Sequence, residues 1–238
     1  MAADANSREG FDDPAARMQR SWDRNAAAWT DAVREGKIAS RRAGTDAAIV
    51  KAVLRERPRR VIDVGCGEGW LARVLSSNGC EVVGIDASAA LIEAARAGGG
   101  GRFETVPHDE LAARAAELGA PFDIAVCNFS LLEADLEPVL AGARAVLGAH
   151  GKLIVQTVHP WISNGDAQYT DGWRTETFAA FGGSFVEPMP WYFRTLASWV
   201  DAIAAGGFAI ERCEEPVDAE KGLPLSLLLV AKPVGSGR

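Results

Sequence analysis

From Arg60 onward the chain alternates two kinds of segment, and that alternation predicts an α/β fold with a doubly wound, seven-stranded sheet. Short β-branched and apolar runs, the signature of buried strands, fall at 60–64, 81–85, 102–106, 123–127, 151–158, 207–213 and 224–231. Between them lie segments with helical periodicity at 68–77, 88–97, about 109–118, 134–147 and 195–205. Strands separated by helices are parallel strands with helices on both faces. The last two runs have no helix between them, only a loop containing Gly222 and Pro224, so they read as a hairpin that ends the sheet on an antiparallel strand.

Taken in order, residues 1–13 are polar and small, without periodicity, and read as disordered until Pro14. Residues 14–59 read as a helical cap. Trp22, Ala26, Trp29 and Val33 recur at helical spacing, and Ile49, Val50, Val53 and Leu54 mark a second helix over 45–57 that Pro58 ends. In the main unit, 60–232, Asn78-Gly79 stops the helix at 68–77, Ser88 caps the next, and Gly206-Gly207 ends 195–205. Residues 159–194 break the rhythm. They are longer than the usual connection and carry nine aromatic side chains between Trp161 and Phe193. Because the segment leaves the carboxyl end of a strand, where open α/β sheets bind ligands, it reads as an aromatic-rich lid and acceptor pocket, or else as a small subdomain with its own core. Residues 233–238 read as a flexible tail.

Composition bounds the function. At 238 residues and 48% apolar, the chain suits one domain with a substantial core. Its net charge of −7 counts against a nucleic-acid partner, because phosphate backbones are held by clustered Lys and Arg. No apolar run reaches the length of a membrane span, and no signal peptide is read, so the expectation is a cytoplasmic protein without a membrane partner. Cys66, Cys80, Cys127 and Cys213 form no C-x-x-C pair and fit a reducing compartment; Cys66 reads as a loop filler, Cys127 and Cys213 as core. No metal constellation is read: Asp166 and Asp171 lack a histidine or paired carboxylate at ligand spacing. The sequence leaves monomer and homodimer equally open.

The most informative stretch is VIDVGCGEGW, 61–70. A strand ending in Asp63-Val64 runs into Gly65, Cys66, Gly67, Glu68 and Gly69, and then into a helix. Glycines there admit unusual backbone angles and let a ligand approach the main chain. A dinucleotide fingerprint needs its third glycine where Trp70 stands, so that a pyrophosphate can sit on the helix start. Here that glycine comes one residue early. Asp86 ends the next strand, 21 residues after Gly65, where a carboxylate accepts the ribose hydroxyls of an adenosine; dinucleotide enzymes use the same device.

The Gly-x-Gly-x-Gly loop after an acidic residue resembles motif I of the class I S-adenosylmethionine-dependent methyltransferases, a Rossmann-like fold with a terminal antiparallel strand. In motif order the chain is similar to the small-molecule type of the ubiquinone and menaquinone biosynthesis group. The resemblance covers about residues 60–158 and the terminal strands. It implies S-adenosylmethionine as cofactor, held by Asp63, Gly65, Cys66, Gly67, Gly69, Asp86 and Ala87. It further implies an adenine contact by His108 and Asp109, the latter also a candidate helix cap. FDIAVCNFSLLE, 122–133, resembles motif IV, with Asn128 and Phe129 beside the reacting centre. Amino-group methylases of nucleic acids carry Pro-Pro-aromatic after that Asn or Asp, and Phe129-Ser130 departs from it. Arg42, or its neighbour Arg41, is the candidate cation for the cofactor's carboxylate, with a solvent-exposed pair as the alternative.

For the acceptor, the expectation is a small, planar molecule methylated on oxygen. His159, leaving the fifth strand in QTVHPW, is the candidate general base, since a neutral imidazole titrates near working pH. Its alternative is to orient the His-Pro turn through the backbone. Glu176 and Tyr192 are expected to complete the pocket, and Arg194 to pair either with an acidic acceptor or with Glu176. Two other functions share these residues: an NAD(P)-dependent oxidoreductase, and a protein that binds S-adenosylmethionine without turnover.

Overall fold

A computed structural model describes residues 13–181 and 184–235, so most of the expected disordered N-terminus and the last three residues of the tail lie outside the described residues. Helix α1 (Pro14–Arg34) begins where Asp13 accepts the Ala15 amide and proline occupies the first turn. A kinked turn over 41–45 leads into α2 (Asp46–Arg55). Then follow β1 (Arg60–Val64), α3 (Trp70–Ser77), β2 (Glu81–Asp86), α4 (Ala89–Gly98), β3 (Arg102–Thr105), a single-turn α5 (Ala115–Leu118), β4 (Phe122–Asn128), α6 (Glu137–Val146) and β5 (Leu147–Val158). The insertion holds α7 (Pro160–Asn164), β6 (Gly172–Glu176) and β7 (Met189–Phe193); α8 (Leu196–Ala205), β8 (Phe208–Glu214) and β9 (Ser226–Pro233) complete the chain.

The main sheet has the order β3-β2-β1-β4-β5-β9-β8. Strands β1 to β5 pair in parallel, and β9 runs antiparallel to both β5 and β8. Strand order reverses between β1 and β4, so a crevice opens outside their carboxyl ends. Alternation along β1 divides the core: Ile62 and Val64 face α6 and α8 with Leu140, Trp199 and Ile203, while Val61 faces α2, α3 and α4 with Ile49, Leu75 and Ile92. Asp63 shares the Val61 side of that alternation.

Some elements differ from the sequence reading. The expected helix at 109–118 is a 3-10 turn at 108–110 and the short α5, because two tertiary anchors bend it: the His108 ring is held by Glu133, and Leu111 packs closely on Gly142. Asp109 lies inside that turn, is exposed, and makes no capping bond. Helix α6 starts at Glu137, where the Asp135 carboxylate accepts the Glu137 amide, rather than at 134. Cys213 is exposed on the edge strand β8, not core; Cys66, Cys80 and Cys127 are buried.

The insertion contains a two-stranded hairpin, β6 against β7, with register from Gly172↔Phe193 to Glu176↔Met189. It is fastened to α1 by the fully buried Asn25, whose Nδ2 donates to the Glu187 carbonyl at 2.7 Å and whose Oδ1 accepts the Val186 amide at 2.8 Å. A buried amide with both ends bonded specifies one docking geometry, because any shift strands a polar group.

Candidate active site

The glycine loop is docked on β2 before it meets any ligand. The amides of Gly65 and Cys66 both donate to the Ile85 carbonyl, at 2.8 and 2.9 Å. Gly65 has a φ of +75°. A Cβ there would lie 2.3 Å from the Ser130 Cβ, so both its conformation and its surroundings require glycine. At Gly69 (φ +82°) a Cβ would meet Ala95 of α4 and Phe103 of β3 at 3.0 Å. Asp86 ties the loop from the other side. Its Oδ2 accepts the Gly67 amide and its Oδ1 the Ser88 amide, each at 2.9 Å. Ala87, between them, is half-buried.

Two acids meet here, and among the described residues no Lys, Arg or His lies in ion-pair contact with either. Asp63 is 2% exposed and its Oδ2 has no hydrogen-bond partner among the described residues. Burial pushes its pKa up to about 7, and the nearby negative charge of Asp86 adds to the rise. Burial also raises Asp86, against the two amides that favour its charged form. The Cys66 thiol is raised well above its usual value by burial and then by Asp63, which makes it a poor nucleophile and supports its part as a filler.

The facing wall comes from the segments after β3 and β4. His108 Nδ1 lies 2.7 Å from Glu133 Oε1, and its Nε2 stands 3.6 Å from where a Gly65 Cβ would be. Burial is the largest influence on the charged ring and disfavours it, but the Glu133 bond together with the charges of Glu133, Asp86 and Asp109 raises the His108 pKa. Burial likewise opposes ionisation of Glu133, and that bond together with the His108 charge and two backbone amides carries it below the usual carboxylate value. Ser130 Oγ donates to the Val64 carbonyl at 2.6 Å. Asn128 Oδ1 accepts from Gln156 Nε2 at 2.9 Å, and that nitrogen also donates to the Thr45 carbonyl at 3.0 Å. Phe129 adopts a φ of +56° as the chain leaves β4, a strained conformation for an aromatic residue.

The roof is α1 with the insertion. Trp29 Nε1 is 3.6 Å from the Gly67 Cβ position, and its ring packs edge-on against Trp22 at 5.2 Å and Phe181 at 6.0 Å. Phe178 and Phe185 stack at 4.5 Å in the same cluster. The Glu68 side chain is fully buried beneath this roof, bonded to Arg34 of α1 at 2.8 Å and to Arg73 of α3 at 2.6 Å. Arg42 is exposed and donates to the Gly36 carbonyl. Arg41 is bonded to Asp46 at 2.8 Å and stacks over Trp70 at 4.2 Å.

On the acceptor side, His159 Nε2 lies 2.7 Å from Glu215 Oε1, and its Nδ1 is buried without a partner among the described residues. The ring therefore bonds a side chain; the turn is held by the His159 carbonyl, which accepts the Ser163 amide at 2.9 Å. Tyr192 packs edge-on to Trp173 at 5.5 Å, and its amide donates to the Leu132 carbonyl. Glu176 Oε1 accepts the Phe178 amide at 2.6 Å. Arg194 makes no pair with Glu176, contrary to one of the two expectations for it: its Nη2 donates to the carbonyls of Glu133 and Ala134 instead.

A family model described as a methyltransferase domain matches residues 34–209. The chain belongs to that family. Among curated relatives it is 26% identical over 174 residues to an uncharacterised methyltransferase of Schizosaccharomyces pombe, covering 70% of this chain and 65% of that protein. It is 33% identical over 103 residues to a ubiquinone biosynthesis O-methyltransferase of Sinorhizobium fredii, covering 42% of this chain and 41% of the relative. The chain thus spans less than two thirds of the curated relatives it matches. A solved S-adenosylmethionine-dependent methyltransferase from Mesorhizobium loti is 26% identical, with a TM-score of 0.56, over 77% of this chain and 95% of that one. The fold is shared over nearly the whole length, 98% of each chain, with a 1,6-didemethyltoxoflavin-N1-methyltransferase from Burkholderia thailandensis, at 21% identity and a TM-score of 0.65.

In this methyltransferase domain the structure gathers Asp63, the glycine loop, Asp86, His108 and Ser130 at one crevice, while among the described residues the side chains of Arg42, Asp109 and Glu176 make no hydrogen bond to the loop. Sequence reasoning left the Glu68 side chain without a role and missed Glu133 and Arg34. An acidic residue inside a glycine loop, and another three positions past Ser130, are visible signals, but their partners lie 34 and 25 residues away in sequence. Among the described residues no helix is long and apolar enough to cross a membrane.

Proposed function

We propose that this chain transfers the methyl group of S-adenosylmethionine to an oxygen of a small, planar acceptor. The observation that carries the reading is the orphaned, buried Asp63 carboxylate beside a glycine loop too tight for a side chain. A single nucleoside with an amino-acid arm fits that combination: Asp63 takes the ammonium group of the arm, and its buried charge then gains a counter-ion that none of the described residues supplies. Asp86 spends one lone pair of each oxygen on Gly67 and Ser88, which leaves one on each for the two ribose hydroxyls. Ala87 and His108 flank that ribose. A bridging diphosphate would instead bring two more negative charges against two carboxylates.

When bound, the cofactor supplies an already activated methyl group on a sulfonium, so the protein's work is alignment and exclusion of water. Trp22, Trp29 and Phe181 close the crevice from above, and an aromatic wall attracts a cation by about 0.5–2 kcal/mol. On the acceptor side His159 acts as the base. Glu215 accepts the Nε2 proton, which leaves Nδ1 as the lone-pair atom able to take the acceptor's proton. Tyr192 and Glu176 bound the acceptor space from the insertion.

A thermal-shift titration tests the reading. S-adenosylmethionine and S-adenosylhomocysteine should raise the melting temperature and NAD(P) should leave it unchanged; the reverse pattern makes the chain an oxidoreductase. Cofactor binding with no transfer to any hydroxylated aromatic acceptor would make it a binding module.

A further inference from the structure

The His108 ring is bonded at one end and open at the other. Its Nδ1 lies 2.7 Å from Glu133 Oε1, while Nε2 makes no hydrogen bond among the described residues. The side chain keeps 17% of its surface exposed, and Nε2 stands 3.6 Å from the Gly65 Cβ position. The open nitrogen is thus the one at the glycine loop. Glu133 is itself held. Its Oε2 accepts the Leu132 amide at 2.9 Å, Arg194 Nη2 donates to the carbonyls of Glu133 and Ala134, and the Tyr192 amide donates to the Leu132 carbonyl. The loop after β4 is therefore clamped from β7 and from Arg194 beyond it, and the carboxylate is fixed before any ligand arrives.

The charge of the ring decides what Nε2 can do. A neutral ring with its proton on Nδ1 presents a lone pair at Nε2, whereas a charged ring presents an N–H at both nitrogens. The groups facing His108 are acidic: Glu133 from the loop after β4, Asp86 from the end of β2 and Asp109 from its own turn. Asp86 in turn feels Asp23 of α1, and Arg194 and Glu133 attract each other across the clamped loop. Against burial, the three acids raise the ring's pKa and favour the form with a donor at Nε2. A donor is what the site lacks. Two ribose hydroxyls that give their protons to Asp86 can gain a further bond only from a group that donates to their oxygens.

We infer that Glu133 is a positioning residue for cofactor binding that acts through His108: it holds Nδ1 and so presents Nε2–H as the donor to a ribose oxygen. This rests on a nucleoside lying against the glycine loop, as proposed for S-adenosylmethionine. With a neutral side chain at 133 the ring loses its proton at lower pH, Nε2 turns from donor to lone pair, and the bond to the ribose is lost. Glu133 thereby sets the pH above which cofactor binding weakens, as Asp63 sets the pH below which it does.

The test is S-adenosylhomocysteine affinity, by calorimetry, for the wild-type chain and Glu133→Gln between about pH 5 and 9, beside an NMR titration of the His108 ring, one of only three histidines. The ring should titrate above the usual imidazole value in the wild type and at lower pH in Glu133→Gln. The ratio of the two dissociation constants should be near one where both rings are charged. Between the two titration midpoints it should reach about fivefold or more, a charge-assisted hydrogen bond lost from part of the population. Asp63 titrates in both proteins and cancels from the ratio. In a His108→Phe background, Glu133→Gln should weaken binding little further. A ratio that does not change with pH, a ring whose titration Glu133→Gln leaves in place, or an effect of the same size in both backgrounds overturns the inference and leaves the cofactor assignment standing. Failure of the wild-type chain to bind S-adenosylhomocysteine at any pH overturns both.

Discussion

Arg34, at the end of α1, holds the fully buried carboxylate of Glu68 through a 2.8 Å bond, so the N-terminal helix and the glycine loop are joined by one ion pair. Arg73 completes it from α3, and Arg34 Nη2 also donates to the Ala94 carbonyl of α4. The roof of the crevice is thereby registered on its floor.

Glu68→Ala should therefore cost about 1–3 kcal/mol of stability. That is less than the loss of a fully buried pair, because both arginines reach solvent once released. Arg34→Ala should cost less still, since Arg73 continues to satisfy Glu68. Chemical denaturation of the two variants measures the order. The reverse order would mean that the helix contact, and not the buried carboxylate, dominates.

Gly65→Ala should abolish S-adenosylhomocysteine binding and destabilise the fold by about 2–4 kcal/mol, from an unfavourable backbone angle and from overpacking. The new methyl group would press on the Ser130 Cβ at 2.3 Å. Adding Ser130→Gly should recover part of the stability but not all of it, because the φ of +75° remains. Melting temperatures of the single and double variants separate the two contributions.

Asp63 gives a pH dependence with a definite sign. Its folded pKa is raised from 3.8 to about 7, so the folded state holds the proton more tightly than the unfolded chain. The stability this contributes is fully present below about pH 4 and is lost as pH rises through about 7. Binding of an ammonium group needs the carboxylate ionised, so S-adenosylhomocysteine affinity should run the other way and weaken by up to about tenfold per pH unit below 7. Asp63→Asn should flatten both profiles. Calorimetry between pH 5 and 8 reads the second directly.

The sheet was legible in the sequence because each strand carries its own apolar run and each helix its own stop. The glycine loop and Asp86 were legible for a related reason: the chemistry sits at strand ends, and strand ends are local. The insertion was not. Its hairpin pairs Gly172 with Phe193 across a long irregular stretch, and its aromatics serve two faces, so no period marks it. Arg194 was singled out with two possible partners, and the structure removes Glu176, because the Glu133 loop reaches the guanidinium first. The bend at 108–110 was invisible for want of its distant anchors, Glu133 and Gly142.

His159 carries the proposed base role. His159→Ala should lower kcat by about 10²–10⁴-fold, the usual share of a general base, with S-adenosylhomocysteine affinity unchanged. Glu215→Gln should lower it less, since the carboxamide oxygen can still accept a hydrogen bond from Nε2 and hold the ring in place. Full activity in His159→Ala would remove it from the mechanism.

A crystal structure of the chain with S-adenosylhomocysteine is the most direct test of the central assignment. It should show both ribose hydroxyls on Asp86 and the amino group on Asp63, with the thioether pointing toward His159. Adenosine seated elsewhere, or a glycine loop collapsed onto Asp63 with no nucleoside against it, would contradict the account.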